Sequence, residues 1–428
     1  MIDLIYVGDS QKKCIFMIRI CKITIFKPTH NAGHVVAGKT NSSMKLFPDA
    51  VSSKLPNTGT SIFAVMTQLA REHDAINLSQ GFPDFEVSPV LIELVAKHMR
   101  AGHNQYAPMS GVPALREAIA IKTQELYGAE YHPETEITVT AGATQAIFAA
   151  ISAFVRDDDE VIVFEPAYDS YIPAIKLNGG TPITCKLKPP GFSIDWEEVR
   201  RLVCNRTKMI IINSPHNPSG SILQKEDLME LEKIVKNTGI MILSDEVYEH
   251  IIFDGQVHES VCRYPALAER SLVTCSFGKT FHATGWKTGY CVAPANLMKE
   301  FRKTHQFIVF CSNTPVQHAI AEFLQDPGHY RGLGPFFQEK RDYFLKALEG
   351  SRFSHTPAGG TYFQLLSYEA ISDMEEMDFA RWLVKEHKVA GVPTSSFYNK
   401  PNNNHLLRFC FAKSEKTLQQ AADILCKI

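Results

Sequence analysis

Five short apolar runs constrain this chain most, because each of them ends in small or polar residues. They are Glu136–Thr140, Glu160–Phe164, Lys208–Asn213, Ile240–Ser244 and Leu272–Cys275. Runs this apolar read as buried strands, and helical spacing lies between them, as at Ala146–Phe154 and at Leu115, Ile119 and Leu126. The expected fold class is therefore α/β, in which chemistry gathers beyond the C-terminal ends of the strands. The last of the five runs into Ser276-Phe277-Gly278-Lys279-Thr280, and Gly285-Trp286-Lys287-Thr288-Gly289-Tyr290 comes next. Desolvation at such a strand end lowers the pKa of Lys279 and makes its amine a nucleophile able to form a Schiff base. An exposed lysine in an ordinary loop would give the same four letters. Lys287 is what adds weight, as a second cation able to hold a phosphate.

The other strand ends carry matching chemistry. Glu136–Thr140 passes through Ala141-Gly142-Ala143-Thr144-Gln145 into a helix, which offers free N–H groups and a positive helix end to a phosphate. A single glycine there, in place of G-x-G-x-x-G, speaks against a dinucleotide site. Asp245 leaves a buried strand in Ser244-Asp245-Glu246-Val247-Tyr248, so it needs a cationic partner or it will be protonated. A helix cap or an internal ion pair is the plainer use of such a residue. Tyr168, just past Glu160–Phe164, is either core or a flat cover for a planar ligand. Arg408 interrupts the apolar run Leu406–Phe411 and should meet an anion, either an internal carboxylate or a ligand. Gly81 and Pro83 mark a turn with open backbone.

Composition narrows the class. A hydrophobic fraction of 45% with 21% charged residues fits a soluble globular chain, and 428 residues are enough for two lobes. A net charge of −2 gives no electrostatic reason for nucleic acid or an anionic membrane. The ten cysteines are scattered, the usage of a reducing, cytoplasmic compartment. The sixteen histidines show no metal-ligand spacing, so no metal is expected. Residues 1–43 do not resemble the rest of the chain, and Arg19 and Lys22 break the apolar core a signal peptide would need. A transit peptide stays open; the expectation is an upstream start codon, with Met44-Lys45-Leu46 beginning the functional chain.

From Met44 onward the chain resembles the class I aminotransferases, which use pyridoxal phosphate. Seven motifs fall in that family's order: Gln80-Gly81-Phe82-Pro83-Asp84, Asn104-Gln105-Tyr106, Ala141-Gly142-Ala143-Thr144, Asn217-Pro218-Ser219-Gly220, Ser244-Asp245-Glu246-Val247-Tyr248, Ser276-Phe277-Gly278-Lys279 and Arg408-Phe409-Cys410-Phe411. The branch it looks most like contains the kynurenine and methionine enzymes. The resemblance implies fold type I: residues 89–344 as a large cofactor-binding domain with a mostly parallel sheet flanked by helices. Residues 44–88 would form an N-terminal arm and, with 345–428, a smaller α+β domain. It implies that Lys279 carries the cofactor and moves the proton, and that Asp245 holds the ring nitrogen. Asn217 and Tyr248 would meet the ring oxygen, and Tyr168 the ring face. Ala143, Thr144, Ser276 and Lys287 would hold the phosphate, joined by Tyr106 across a homodimer. Gly81, Asn217, Arg408 and Phe310 would form the substrate pocket, with Arg408 on the α-carboxylate. Methionine or an aromatic amino acid is the expected donor and a 2-oxo acid the acceptor. Kynurenine–oxoglutarate transamination and cysteine-conjugate β-lysis are the alternatives on the same scaffold.

Overall fold

The computed structural model describes residues 51–428. The expectations for the segment before Met44, and for Met44 as a beginning, lie outside the described residues. Seven strands form the main sheet: β1 (Ile137–Thr140), β2 (Glu160–Glu165), β3 (Thr181–Lys186), β4 (Thr207–Asn213), β5 (Met241–Asp245), β6 (Ser271–Ser276) and β7 (Gly289–Val292). Their spatial order is β1-β7-β6-β5-β4-β2-β3. β7 runs antiparallel to both of its neighbours, and every other pair is parallel.

The alternation of the strands explains why they read as continuous apolar runs. Ile162 of β2 and Ile210 and Ile212 of β4 belong to one apolar cluster, whereas Val161, Val163, Met209 and Ile211 belong to another. Both faces of the sheet are therefore buried, as parallel sheets require. The helix Ala143–Phe154 covers one face through Ala146, Ile147, Ala150 and Ile151. The C-terminal ends of β1, β2, β4, β5 and β6 share one edge, because β1 and β6 both run opposite to the strand between them. Thr140 and Ser276 flank Gly289 there.

A second, three-stranded antiparallel sheet is made of β8 (Phe363–Ser367), β9 (Val392–Pro393) and β10 (Leu406–Cys410), in the order β9-β10-β8. Ile76–Asn77 pairs in parallel with Val389–Ala390, tying the N-terminal part to the C-terminal part. The sequence alone reads Phe353–His355 and Val389–Pro393 as short strands, and both need correction. Phe353–His355 supplies only an isolated bridge from Ser354 to Ser367. Val389–Pro393 is split at Gly391, where a Cβ would lie 2.9 Å from the Phe409 ring. The sequence alone gives helical character to Phe301–Phe310 and Arg341–Leu348, and the helices there begin earlier, as Ala295–Ile308 and Leu333–Ala347.

The segment after β5 is held from behind by buried carboxylates. Glu249 accepts hydrogen bonds from Lys122 Nζ at 2.8 Å, Tyr127 at 2.5 Å and Tyr290 at 3.0 Å. Glu246 accepts from the Ser244 hydroxyl and the Val261 N–H, and it meets His258 Nε2 at 2.8 Å. Burial alone would raise the Glu249 carboxyl; Lys122 and the hydroxyl donors outweigh it and hold the group well below the usual carboxylate range. Removing one partner of a buried pair leaves an uncompensated charge. Lys122→Met is expected to lose about 3–5 kcal/mol of stability, read from the denaturant midpoint, and Lys122→Met/Glu249→Gln to recover part of it. An unchanged midpoint in the single variant would refute this role.

Candidate active site

The shared edge of the sheet opens into a cleft of about 630 Å³. Lys279 enters it from the helical turn Phe277–Thr280 that follows β6. Its Nζ donates to the Gly81 carbonyl at 3.2 Å, which also accepts from the Tyr362 hydroxyl at 2.7 Å. Among the described residues no carboxylate forms a salt bridge with Lys279. Burial, helped by the Arg408 and Lys287 charges, pushes its amine down to about 8. A substantial neutral fraction therefore exists near pH 8, as a nucleophile requires.

Asp245 faces the same cleft from the end of β5 and is 3% exposed. Burial raises its carboxyl to about 6, against hydrogen bonds from the Tyr171 hydroxyl at 2.5 Å and the Val247 N–H at 3.4 Å. A carboxylate this desolvated favours a cation placed against it. Tyr248 follows on the next turn, 2% exposed, edge-on to Tyr362. Tyr168 lies across the cleft with its hydroxyl 3.2 Å from Thr144 Oγ1.

Ala143, Thr144, Ser276 and Lys287 line the same cleft. The helix Ala143–Phe154 has no side-chain cap, since Gly142 precedes it with φ 81°. A Cβ on Gly142 would lie 3.4 Å from Lys287 Nζ, and one on Gly289 would lie 2.5 Å from the Cys275 carbonyl and 3.0 Å from the Ala143 nitrogen. Gly289 is therefore required by the approach of backbone to backbone beneath this cradle, and Gly142 by its left-handed φ.

Asn217 and Arg408 meet deeper in the fold. Arg408 is 1% exposed, donates to Asn217 Oδ1 at 2.7 Å and to the Ser79 carbonyl at 3.1 Å, and stacks 3.8 Å from the Phe363 ring centre. Its Nε has no partner, and no carboxylate pairs with it among the described residues. Burial pushes the guanidinium down to about 10. Tyr106 and Phe310 stand apart from this cleft. They pack edge to face on each other at 5.4 Å and remain 84% and 46% exposed. Tyr171, Tyr362 and Asn213 were not singled out by the sequence, although Asn213 ends a strand whose C-terminal edge is chemical.

A family profile described as aminotransferase class I and II matches residues 73–425. The chain belongs to that family. It is 51% identical to a methionine aminotransferase of Escherichia coli, over 87% of this chain and 97% of that one. A kynurenine–oxoglutarate transaminase of Dictyostelium discoideum is 34% identical, over 88% and 96%. A solved structure from Escherichia coli, described as having a methionine aminotransferase function, superposes with a TM-score of 0.87 at 50% identity, covering 89% of this chain and all of that one. The chain is thus a fold type I aminotransferase, and pyridoxal phosphate is its cofactor.

The residues present fit that group. An uncapped helix N-terminus, a hydroxyl and an ammonium free of carboxylates among the described residues are the chemistry a phosphate needs. The helix follows β1, which β7 and β6 separate from β5 and Asp245. Replacing Lys287 by alanine removes one charged donor, worth about 1.5–3 kcal/mol. Lys287→Ala is expected to bind pyridoxal phosphate roughly tenfold to hundredfold more weakly in absorbance titrations of the apoenzyme. Unchanged affinity would remove Lys287 from the cradle.

Proposed function

We propose that this aminotransferase takes its amino group from methionine and aromatic amino acids and passes it to a 2-oxo acid. The observation that carries the reading is Arg408, a buried guanidinium with an unpaired Nε and no paired carboxylate among the described residues. Such a cation calls for an external carboxylate, and its planar fork matches one. The donor class is supported by the methionine aminotransferase that is 51% identical. It is also supported by the charges in the cleft, whose only lining cations among the described residues are Lys279 and Lys287. With both engaged at the cofactor, an acidic donor side chain would lose its hydration without a paired cation in return.

Lys279 anchors the cofactor through its amine and, once released, moves the proton from the donor's Cα. Its pKa near 8 suits it to both directions of that transfer. Asp245 holds a proton on the ring nitrogen by offering a desolvated carboxylate. Tyr171 keeps that carboxylate aimed into the cleft. Bound pyridoxal phosphate supplies an aldehyde that condenses with amines and a ring that takes up the electrons left as the Cα proton departs. Asn217 and Tyr248 orient the ring oxygen, Tyr168 covers the ring face, and Ala143, Thr144, Ser276 and Lys287 bind the phosphate. Gly81 holds Lys279 through its carbonyl. A Cβ there would lie 2.8 Å from the Phe363 ring, so the loop closes over the donor site only with glycine.

The active unit is a homodimer in this reading. Support comes from the exposed aromatics Tyr106, Phe310 and Phe82, which a second copy would cover while lending Tyr106 to its neighbour's phosphate and Phe310 to its substrate pocket. Residues 89–344 form the large domain, and 345–428 join the segment up to residue 88 in the smaller one, as the pairing of Ile76–Asn77 with Val389–Ala390 supports. No helix among the described residues is long and apolar enough to cross a membrane. Eight described cysteines are free thiols, consistent with a cytoplasmic place.

The test is kcat/KM for methionine, phenylalanine, kynurenine and aspartate with one common 2-oxo acid. Methionine and phenylalanine should lead, kynurenine should follow, and aspartate should trail by about a hundredfold or more, since an unpaired carboxylate costs several kcal/mol to desolvate. Aspartate at the head of the series would overturn the donor assignment. Site sharing is tested by mixing two inactive variants, Lys279→Ala and Tyr106→Ala. Subunit exchange should restore activity that neither has alone, because one site of each mixed dimer is then intact. No recovery after verified exchange would refute it.

A further inference from the structure

The fold brings together three histidines that no sequence spacing connects. His98 lies on the helix Pro89–Arg100, His103 on the turn that follows it, and His318 on the helix Thr314–Phe323 packed alongside. One ligating atom of each lies within 4.8 Å of the others. Among the described residues this is the only such group of three or more histidine, cysteine or acidic side chains. The His103 and His318 rings stack at 4.0 Å, and those of His98 and His318 at 5.2 Å. The turn that carries His103 is built to place it. His103 N–H returns to the His98 carbonyl at 3.1 Å, Gly102 takes φ 90°, and Asn104 donates to the Met99 carbonyl at 2.9 Å.

We infer that His98, His103 and His318 bind a divalent cation of borderline softness, with Zn²⁺ the best match, backed by Glu322. His98 meets the Glu322 carboxylate through Nε2 at 3.2 Å, which leaves Nδ1 as the ligating atom. That Nδ1 is buried and has no hydrogen-bond partner. A carboxylate behind one ring nitrogen, with the other nitrogen free, is the arrangement that orients histidine ligands on zinc. Lys97 holds the same carboxylate at 2.7 Å. Three neutral imidazoles without thiolates suit zinc, nickel or copper better than magnesium or calcium. Zinc ligands at about 2.0–2.1 Å stand about 3.4 Å apart in a tetrahedron, so closing the set takes a contraction of up to about 1.4 Å and a turn of the exposed His103 ring out of its stack on His318, which aims its in-plane lone pair at the shared point. The fourth position then faces solvent beside His103.

The site would clamp a segment that leads to Tyr106. Thr314, at the start of the His318 helix, donates to the Gln105 carbonyl at 2.7 Å and accepts from the Ala107 N–H at 3.0 Å. A cation shared by His103 and His318 ties the same two elements together a second time, outside the cleft that holds Lys279.

Equilibrium dialysis of the purified holoenzyme against zinc chloride, with metal analysis, tests the inference. The wild type should hold one Zn²⁺ per chain that His103→Ala and His318→Ala bind at least tenfold more weakly. Glu322→Gln should lose about 10–100-fold in affinity. His103 is exposed, so its variant keeps the fold, as circular dichroism and the cofactor absorbance will register. Co²⁺ substitution should give visible bands in the wild type that His103→Ala lacks. Equal zinc affinity in wild type and His103→Ala, or no stoichiometric zinc in the wild type, would overturn the site.

Discussion

Two buried cations that form no salt bridge among the described residues govern the design of this enzyme. Lys279 and Arg408 both sit inside the fold, and burial depresses both, to about 8 and about 10. Neither is paired with a carboxylate among the described residues. Their positive ends instead meet carbonyls and aromatic faces: Gly81 and the Tyr248 and Tyr362 rings for Lys279, and Ser79, Asn217 and Phe363 for Arg408. Carbonyls and ring faces temper the desolvation without neutralising the charge. The apo fold is accordingly left with electrostatic need at the cleft, and anionic ligands satisfy it. Stability has to come from elsewhere, from a sheet buried on both faces and from closed polar networks such as Lys122 with Glu249.

The strand ends were legible in the sequence because a parallel sheet writes its own signature. An apolar run must stop where the backbone leaves the core, and the first polar residue past that point is either solvated or functional. Lys279 and Asp245 were found that way, Arg408 as a charge inside an apolar run and Asn217 through the family resemblance, and the structure brings Lys279, Asp245 and Asn217 to one cleft with Arg408 bonded to Asn217. What escaped the sequence is long-range pairing. Tyr171 is an ordinary aromatic in the helix Tyr171–Leu177 until the fold sets its hydroxyl against Asp245, 74 positions away. Tyr362 reaches Gly81 across 281 positions. His98, His103 and His318 form no motif because two helices, not one loop, bring them together. The false strand at Phe353–His355 fails for a related reason: β propensity without a partner leaves a single bridge.

Charge in the cleft is also ordered along its length. The uncapped helix end after β1 and Lys287 before β7 are positive, and Arg408 on β10 stands positive where it bonds Asn217. Asp245, at the end of β5, supplies the only carboxylate lining the cleft among the described residues. A ligand with a phosphate at one side, a protonated ring nitrogen inside and a carboxylate beyond can lie in one sense only. Reversing it would set phosphate against Asp245 and leave Lys287 unpaired, an arrangement that like-charge repulsion penalises in a low-dielectric site. Orientation, the first requirement of stereochemically controlled proton transfer, follows from Lys287 on the turn before β7, Asp245 at the end of β5 and Arg408 on β10.

Asn217 links the two ends of this arrangement. Its Oδ1 accepts from Arg408, so its Nδ2 is the group left to donate into the cleft. Its own N–H donates to Asn213 Oδ1 at 2.8 Å, and Asn213 Nδ2 donates to the Asp245 carbonyl at 2.8 Å. A continuous path therefore runs from the Arg408 guanidinium, through Asn217 and Asn213, to the backbone of Asp245. An aspartate at 217 would pair with Arg408 and cancel the charge the donor needs, whereas a leucine would strand the guanidinium. An amide can accept from Arg408 on one side and still donate on the other, so the proposed contact with a ring oxygen is open to Asn217 and to neither of those replacements.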